Sequence, residues 1–155
     1  MEIPEDFVRI NYADGHYIGQ VADDGTTEHG RGMFIWDNGN AYMGEFRNGR
    51  FCGEGRFVWA SGDVYVGDFL DDTRSGKGTF TWASGDVYVG DFINGARTGK
   101  GRMTWAQSGE SYEGDFVNGV MEGQGIYYSK DGAIMYDGQW MQGCPVNSDN
   151  KDLIG

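Results

Sequence analysis

Six times along the chain a tyrosine opens the same short phrase: YIGQV at Tyr17, YMGEF at Tyr42, YVGDF at Tyr65 and again at Tyr88, YEGDF at Tyr112, and YDGQW at Tyr136. Successive tyrosines are 25, 23, 23, 24 and 24 residues apart. A second phrase follows each of the first five: GRGMFIW, GEGRFVW, GKGTFTW, GKGRMTW and GQGIYYS. A period of this length marks a repeat architecture, in which each unit buries its apolar surface against its neighbours instead of in a closed globular core.

Alternation within the phrases sets the secondary structure. Tyr65, Gly67 and Phe69 fall on one face and Val66 and Asp68 on the other, the period-2 pattern of a strand. Gly78, Phe80 and Trp82 alternate with Thr79 and Thr81 in the same way. Turn pairs separate the strands. Asn48-Gly49, Asn94-Gly95 and Asn118-Gly119 follow the first strand of a repeat, and Asn38-Gly39, Ser61-Gly62, Ser84-Gly85, Ser108-Gly109 and Asp131-Gly132 follow the second. The expected fold is all-β: an elongated, single-layer, twisted antiparallel sheet of consecutive β-hairpins, with about twelve strands and a length on the order of 55 Å. Residues 1–7 read as an N-terminal tail, 8–143 as the repeat array and 144–155 as a C-terminal tail or cap.

The 28 glycines among 155 residues are more than twice the average usage of about 7%, without a Gly-X-Y period. Gly67 and Gly78 leave no side chain on their face, so rings from neighbouring strands can lie across the backbone there. That packing substitutes for a second layer.

These phrases resemble the MORN (membrane occupation and recognition nexus) repeat, whose consensus is close to YxGxFxxGxxxGxGxxxWxxGxxY. The match is clean at Tyr42, Gly44, Phe46, Gly49, Gly53, Gly55, Trp59 and Gly62, and again at Tyr88, Gly90, Phe92, Gly95, Gly99, Gly101, Trp105 and Gly109. Asp72 stands where a turn glycine belongs, Val21 replaces the phenylalanine, and Ser129 replaces the tryptophan. The resemblance implies an extended β ribbon that dimerises, binds peptides or helices along a groove, or localises other domains.

Charge narrows the partners. Twelve Lys and Arg against 24 Asp and Glu give a net charge of -12, which repels phosphate backbones, so nucleic acid is not an expected partner. The start MEIPEDF lacks the basic and apolar regions of a signal peptide, which points to a cytoplasmic address. Cys52 and Cys144 have no CxxC spacing, and they read as free thiols.

No catalytic constellation, metal site or cofactor motif is expected. Gly95-Ala96-Arg97-Thr98-Gly99-Lys100-Gly101 imitates a P-loop but has three residues between its first glycines and no Ser or Thr after the lysine. His16 and His29 read as solvated turn residues, and Glu45, Asp68, Asp91 and Asp115 as a repeated surface row. Two surfaces remain. Tyr42, Trp59, Tyr65, Trp82, Tyr88, Trp105 and Tyr112 define a ring-lined face suited to a protein partner: a peptide, a helix or a second copy in a homodimer. Arg50, Arg74, Lys77, Arg97, Lys100 and Arg102 define a basic rim along the mid-repeat loops, the alternative site, suited to a membrane lipid such as a phosphoinositide headgroup.

Overall fold

The computed structural model describes residues 5–146. They form one antiparallel sheet of thirteen strands in sequence order. The strands are β1 (Val8–Tyr12), β2 (Gly15–Val21), β3 (Glu28–Trp36), β4 (Ala41–Arg47), β5 (Arg50–Val58), β6 (Val64–Leu70), β7 (Thr73–Thr81), β8 (Val87–Ile93), β9 (Ala96–Thr104), β10 (Ser111–Val117), β11 (Val120–Tyr128), β12 (Ile134–Met141) and β13 (Cys144–Pro145). At about 4.8 Å per step the sheet runs roughly 58 Å. No helix among the described residues is long and apolar enough to cross a membrane.

One expectation is sharpened and two are corrected. The thirteenth strand comes from the expected tail: Trp140 pairs with Pro145 and Met141 with Cys144, and the Tyr136 hydroxyl donates to the Val146 carbonyl at 2.8 Å. The array therefore reaches Pro145; residues 1–4 and 147–155 of the two expected tails lie outside the described residues. The mid-repeat loop is no loop. Asn48-Gly49 reverses the chain in two left-handed residues, with φ of 50° and 81°, and strand β5 resumes at once. His16 and His29 sit in β2 and β3, not in turns.

The extra residues of each mid-repeat segment enter a β-bulge. Between β6 and β7 the register jumps from Gly67 opposite Gly78 to Phe69 opposite Arg74, so Asp68 alone faces Ser75, Gly76 and Lys77. The bulge would orphan a backbone N–H, and the carboxylate row answers it. Asp68 accepts from the Lys77 N–H at 3.0 Å, Asp91 from Lys100 at 2.9 Å, Asp115 from Gln124 at 2.9 Å and Glu45 from Glu54 at 2.8 Å. The repeated acidic position is thus a structural plug of the bulge.

The core is a column of rings along one face. Tyr42, Tyr65 and Tyr88 each meet the phenylalanine of their own phrase edge-on and then the phenylalanine of the next repeat. Tyr65 stands 5.0 Å from Phe69 and 5.0 Å from Phe92, and Tyr88 stands 5.2 Å from Phe92 and 5.0 Å from Phe116. The column runs unbroken from Tyr17 to Tyr136, with Trp140 as its last non-tyrosine ring. Edge-to-face pairs at these distances add about 0.5–1.5 kcal/mol beyond buried area. The glycine row makes this possible. A Cβ on Gly67 would stand 2.5 Å from the Gly78 Cα and 2.8 Å from the Tyr65 hydroxyl oxygen. Each phenol then donates to the carbonyl three residues on, as Tyr65 does to Asp68 at 2.8 Å and Tyr88 to Asp91 at 2.9 Å.

Both rims stitch consecutive repeats together. On one, the turn N–H of Gly95 donates to the Arg74 carbonyl at 2.9 Å and that of Gly119 to the Arg97 carbonyl at 2.8 Å. Asp72 holds the same position with a φ of 69°, and its carboxylate also accepts from the Phe51 N–H at 2.8 Å, which compensates for the missing glycine. On the other rim Asp63 accepts from the Ala83 N–H and Asp86 from the Ala106 N–H, both at 2.8 Å.

Candidate binding site

The ring face divides into two rows. The tyrosines Tyr42, Tyr65, Tyr88 and Tyr112 form the inner row and are 0% exposed, so these four expected binding residues present no surface to a partner. Burial pushes the phenols of Tyr65, Tyr88 and Tyr112 up to about 12, so they remain hydrogen-bond donors across the physiological range. The other three expected residues, Trp59, Trp82 and Trp105, form the outer row and are only partly buried. They follow the last residues of β5, β7 and β9; the indoles of Trp59 and Trp82 lean on Phe57 and Phe80, two residues before them, and that of Trp105 stacks on Tyr127 of β11.

Along the outer row the packing changes character. From Trp36 to Trp82 the rings are continuous: Trp36 and Phe57 at 5.5 Å, Phe57 and Trp59 at 4.4 Å, Trp59 and Phe80 at 5.3 Å, Phe80 and Trp82 at 4.6 Å. The next residue in this series is Met103, and a thioether takes the place of a ring. A hollow of about 430 Å³ opens there, walled by Trp82 and Trp105 and floored by Arg97, Met103, Phe116 and Met121. A second, of about 310 Å³, adjoins it and shares Trp82 and Arg97, with Arg74, Phe80 and Phe92 on its other side.

The six residues of the expected basic rim do not form one rim. Arg74 and Arg97 pair with Phe69 and Phe92 across the strands, which puts them on the ring face at the position held by Phe51 and Met121 in neighbouring repeats. The Arg74 guanidinium lies 5.2 Å from the centre of Phe80 and 5.6 Å from those of Trp59 and Phe92, and it donates to the Gly95 carbonyl at 2.6 Å. That of Arg97 lies 5.1 Å from the centre of the Trp82 ring. Burial lowers the pKa of both guanidiniums, which stay cationic at neutral pH. Lys77, Lys100 and Arg102 lie on the opposite face in ion pairs with Asp91, Asp115 and Glu113. Arg50 is exposed beside a tight turn.

Five consecutive segments, residues 28–41, 42–64, 65–87, 88–110 and 112–134, match the MORN repeat, and the chain belongs to the MORN-repeat family. No curated protein matches it in sequence. Solved structures are similar, two of them as follows. One is the TCP domain of SAS-4 (dCPAP) of Drosophila melanogaster in complex with a proline-rich motif of Ana2 (dSTIL). It is 11% identical with a TM-score of 0.42, over 81% of this chain and 80% of that one. The other is a mutant of the TCP10 domain of Danio rerio CPAP, 13% identical with a TM-score of 0.22, over 88% of this chain and 80% of that one. Neither likeness bears on what this chain binds.

Proposed function

We propose that the chain is a non-catalytic scaffold that binds a protein partner on the ring face, at the hollows between Trp82 and Trp105. The observation that carries this reading is the break in the outer ring row. The inner column of buried rings closes the fold, and the open stretch leaves two indoles flanking an unfilled, mostly apolar floor. Concave apolar surface with a few polar groups is the usual form of a binding site. Aromatic and arginine side chains are also the residues that dominate binding energy at interfaces. A cytoplasmic setting belongs to the same proposal.

The lipid reading lacks comparable support. Its six basic residues are divided between two faces, and three of them are neutralised by carboxylates. Affinity capture from native lysate, with the folded chain as bait, tests the proposal. A protein recovered in stoichiometric amount should be lost with Trp82→Ala/Trp105→Ala at an unchanged fold, and equal recovery with that variant would sink the reading.

A further inference from the structure

Arg74 and Arg97 are charged side chains seated among the rings that border the two hollows, and no ion pair among the described residues uses them. Among the described residues the ion pairs join Lys77 with Asp91, Lys100 with Asp115 and Arg102 with Glu113, all on the other face. The one carboxylate that lines either hollow, Asp86 at the lip of the larger, accepts from the Ala106 N–H. Both guanidiniums border the smaller hollow, and Arg97 also forms part of the floor of the larger one. A half-buried cation held by rings and without an anionic partner is a site prepared for an incoming carboxylate.

Resting on the proposed binding role, we infer that the partner is an acidic peptide segment. It places two carboxylate side chains on Arg74 and Arg97, with an apolar or aromatic side chain beside them in the hollow between Trp82 and Trp105. The arginines occupy equivalent positions on β7 and β9, two strands apart, so the carboxylates must be about 10 Å apart. Residues about seven apart on one helix face meet that spacing, as do residues three apart in a polyproline II segment. A cationic group is excluded from the hollows by the guanidiniums. An extended anionic surface is disfavoured, because it would bring many negative charges against a chain of net charge -12, whereas a short peptide brings its two charges only to the arginines.

The repeats themselves supply the control variant. Phe51 and Met121 occupy the same place as Arg74 and Arg97, so Arg74→Met/Arg97→Met removes the charge while keeping a side chain the fold already accepts. Short random peptides displayed on phage and selected on the full folded chain provide the probe, and the selected sequences are synthesised with a fluorescent label and titrated. Selected peptides should carry paired Asp or Glu with a neighbouring apolar residue. Arg74→Met/Arg97→Met should weaken them by about tenfold or more at unchanged melting temperature, and Arg74→Lys/Arg97→Lys by less. Neutral or basic peptides, or acidic peptides that bind the methionine variant as tightly, would overturn the inference while leaving the binding role standing, provided that Trp82→Ala/Trp105→Ala still abolishes binding. Peptides indifferent to the tryptophans, or no selectable peptide, would defeat both. Phosphoinositide vesicles that displace the peptide through the arginines would reassign the site to a lipid, and an arginine-dependent dimer of the chain would reassign it to a second copy.

Discussion

The two halves of the outer ring row share a backbone and differ in what fills it. Around Trp36 and Trp59 the outer row is filled by rings up to Arg74, which lies 5.6 Å from Trp59: Phe51 stacks on Tyr42 at 3.9 Å and 10°, and Phe57 bridges the two indoles. Around Trp82 and Trp105 the corresponding positions hold Arg74, Arg97, Met103 and Met121, and the surface opens. The inner column runs through both halves without interruption. Stability therefore resides in the row that repeats faithfully, and binding capacity in the row where the repeat is broken.

The largest expected effect separates the rows. Tyr88→Ala removes a fully buried ring held between Phe92 and Phe116 and should cost about 3–5 kcal/mol by chemical denaturation, spread over its own repeat and both neighbours. Trp82→Ala takes away a partly buried ring and should cost about 1–2 kcal/mol. Comparable losses for the two would erase the distinction between an inner structural row and an outer binding row.

A smaller effect sharpens the contrast between the halves. Met103→Phe restores the ring that Phe57 and Phe80 supply in earlier repeats, so the fold should change by less than about 1.5 kcal/mol while the larger hollow closes. Partner binding measured at matched melting temperature should fall.

The smallest effect concerns the bulges. The pKa of Asp91 is depressed chiefly by the Lys77 ammonium and then by the Lys100 N–H, and that of Asp115 chiefly by the Lys100 ammonium. A carboxylate held below its unfolded pKa contributes stability that is present above about pH 4 and is lost as pH falls through its folded value. Asp91→Asn/Asp115→Asn should flatten that acid limb slightly, because the ammonium partners are mostly exposed and such pairs contribute about 0–1 kcal/mol. Melting curves from neutral to acid pH measure it.

Much of the fold was legible in the sequence because its two signals are local. The 23-to-24-residue period gave the repeat, and the parity of Tyr65, Gly67 and Phe69 against Val66 and Asp68 gave the faces. The rows were not legible, because tyrosine, phenylalanine and tryptophan share one parity. Which ring is buried depends on its distance along the strand from the paired glycines. The plug role of Asp68 was hidden for a related reason: a bulge is a property of pairing between two strands, and a single strand's sequence does not display it. Arg74 and Arg97 were read as loop residues, although their alignment with Phe51 and Met121, five residues after the phrase phenylalanine, was a usable sign of a ring-face position. Cys144 and Pro145 lacked any periodic mark, and two residues are too few to show one.

The central claim is that the broken stretch of the outer row binds and the intact stretch does not. It is tested most directly by titrating the captured partner, or a selected peptide, against two variants of matched stability, Trp36→Ala/Trp59→Ala and Trp82→Ala/Trp105→Ala. The account predicts a loss of about tenfold or more for the second pair and less than about threefold for the first. Equal losses, or a greater loss for the first pair, would contradict it.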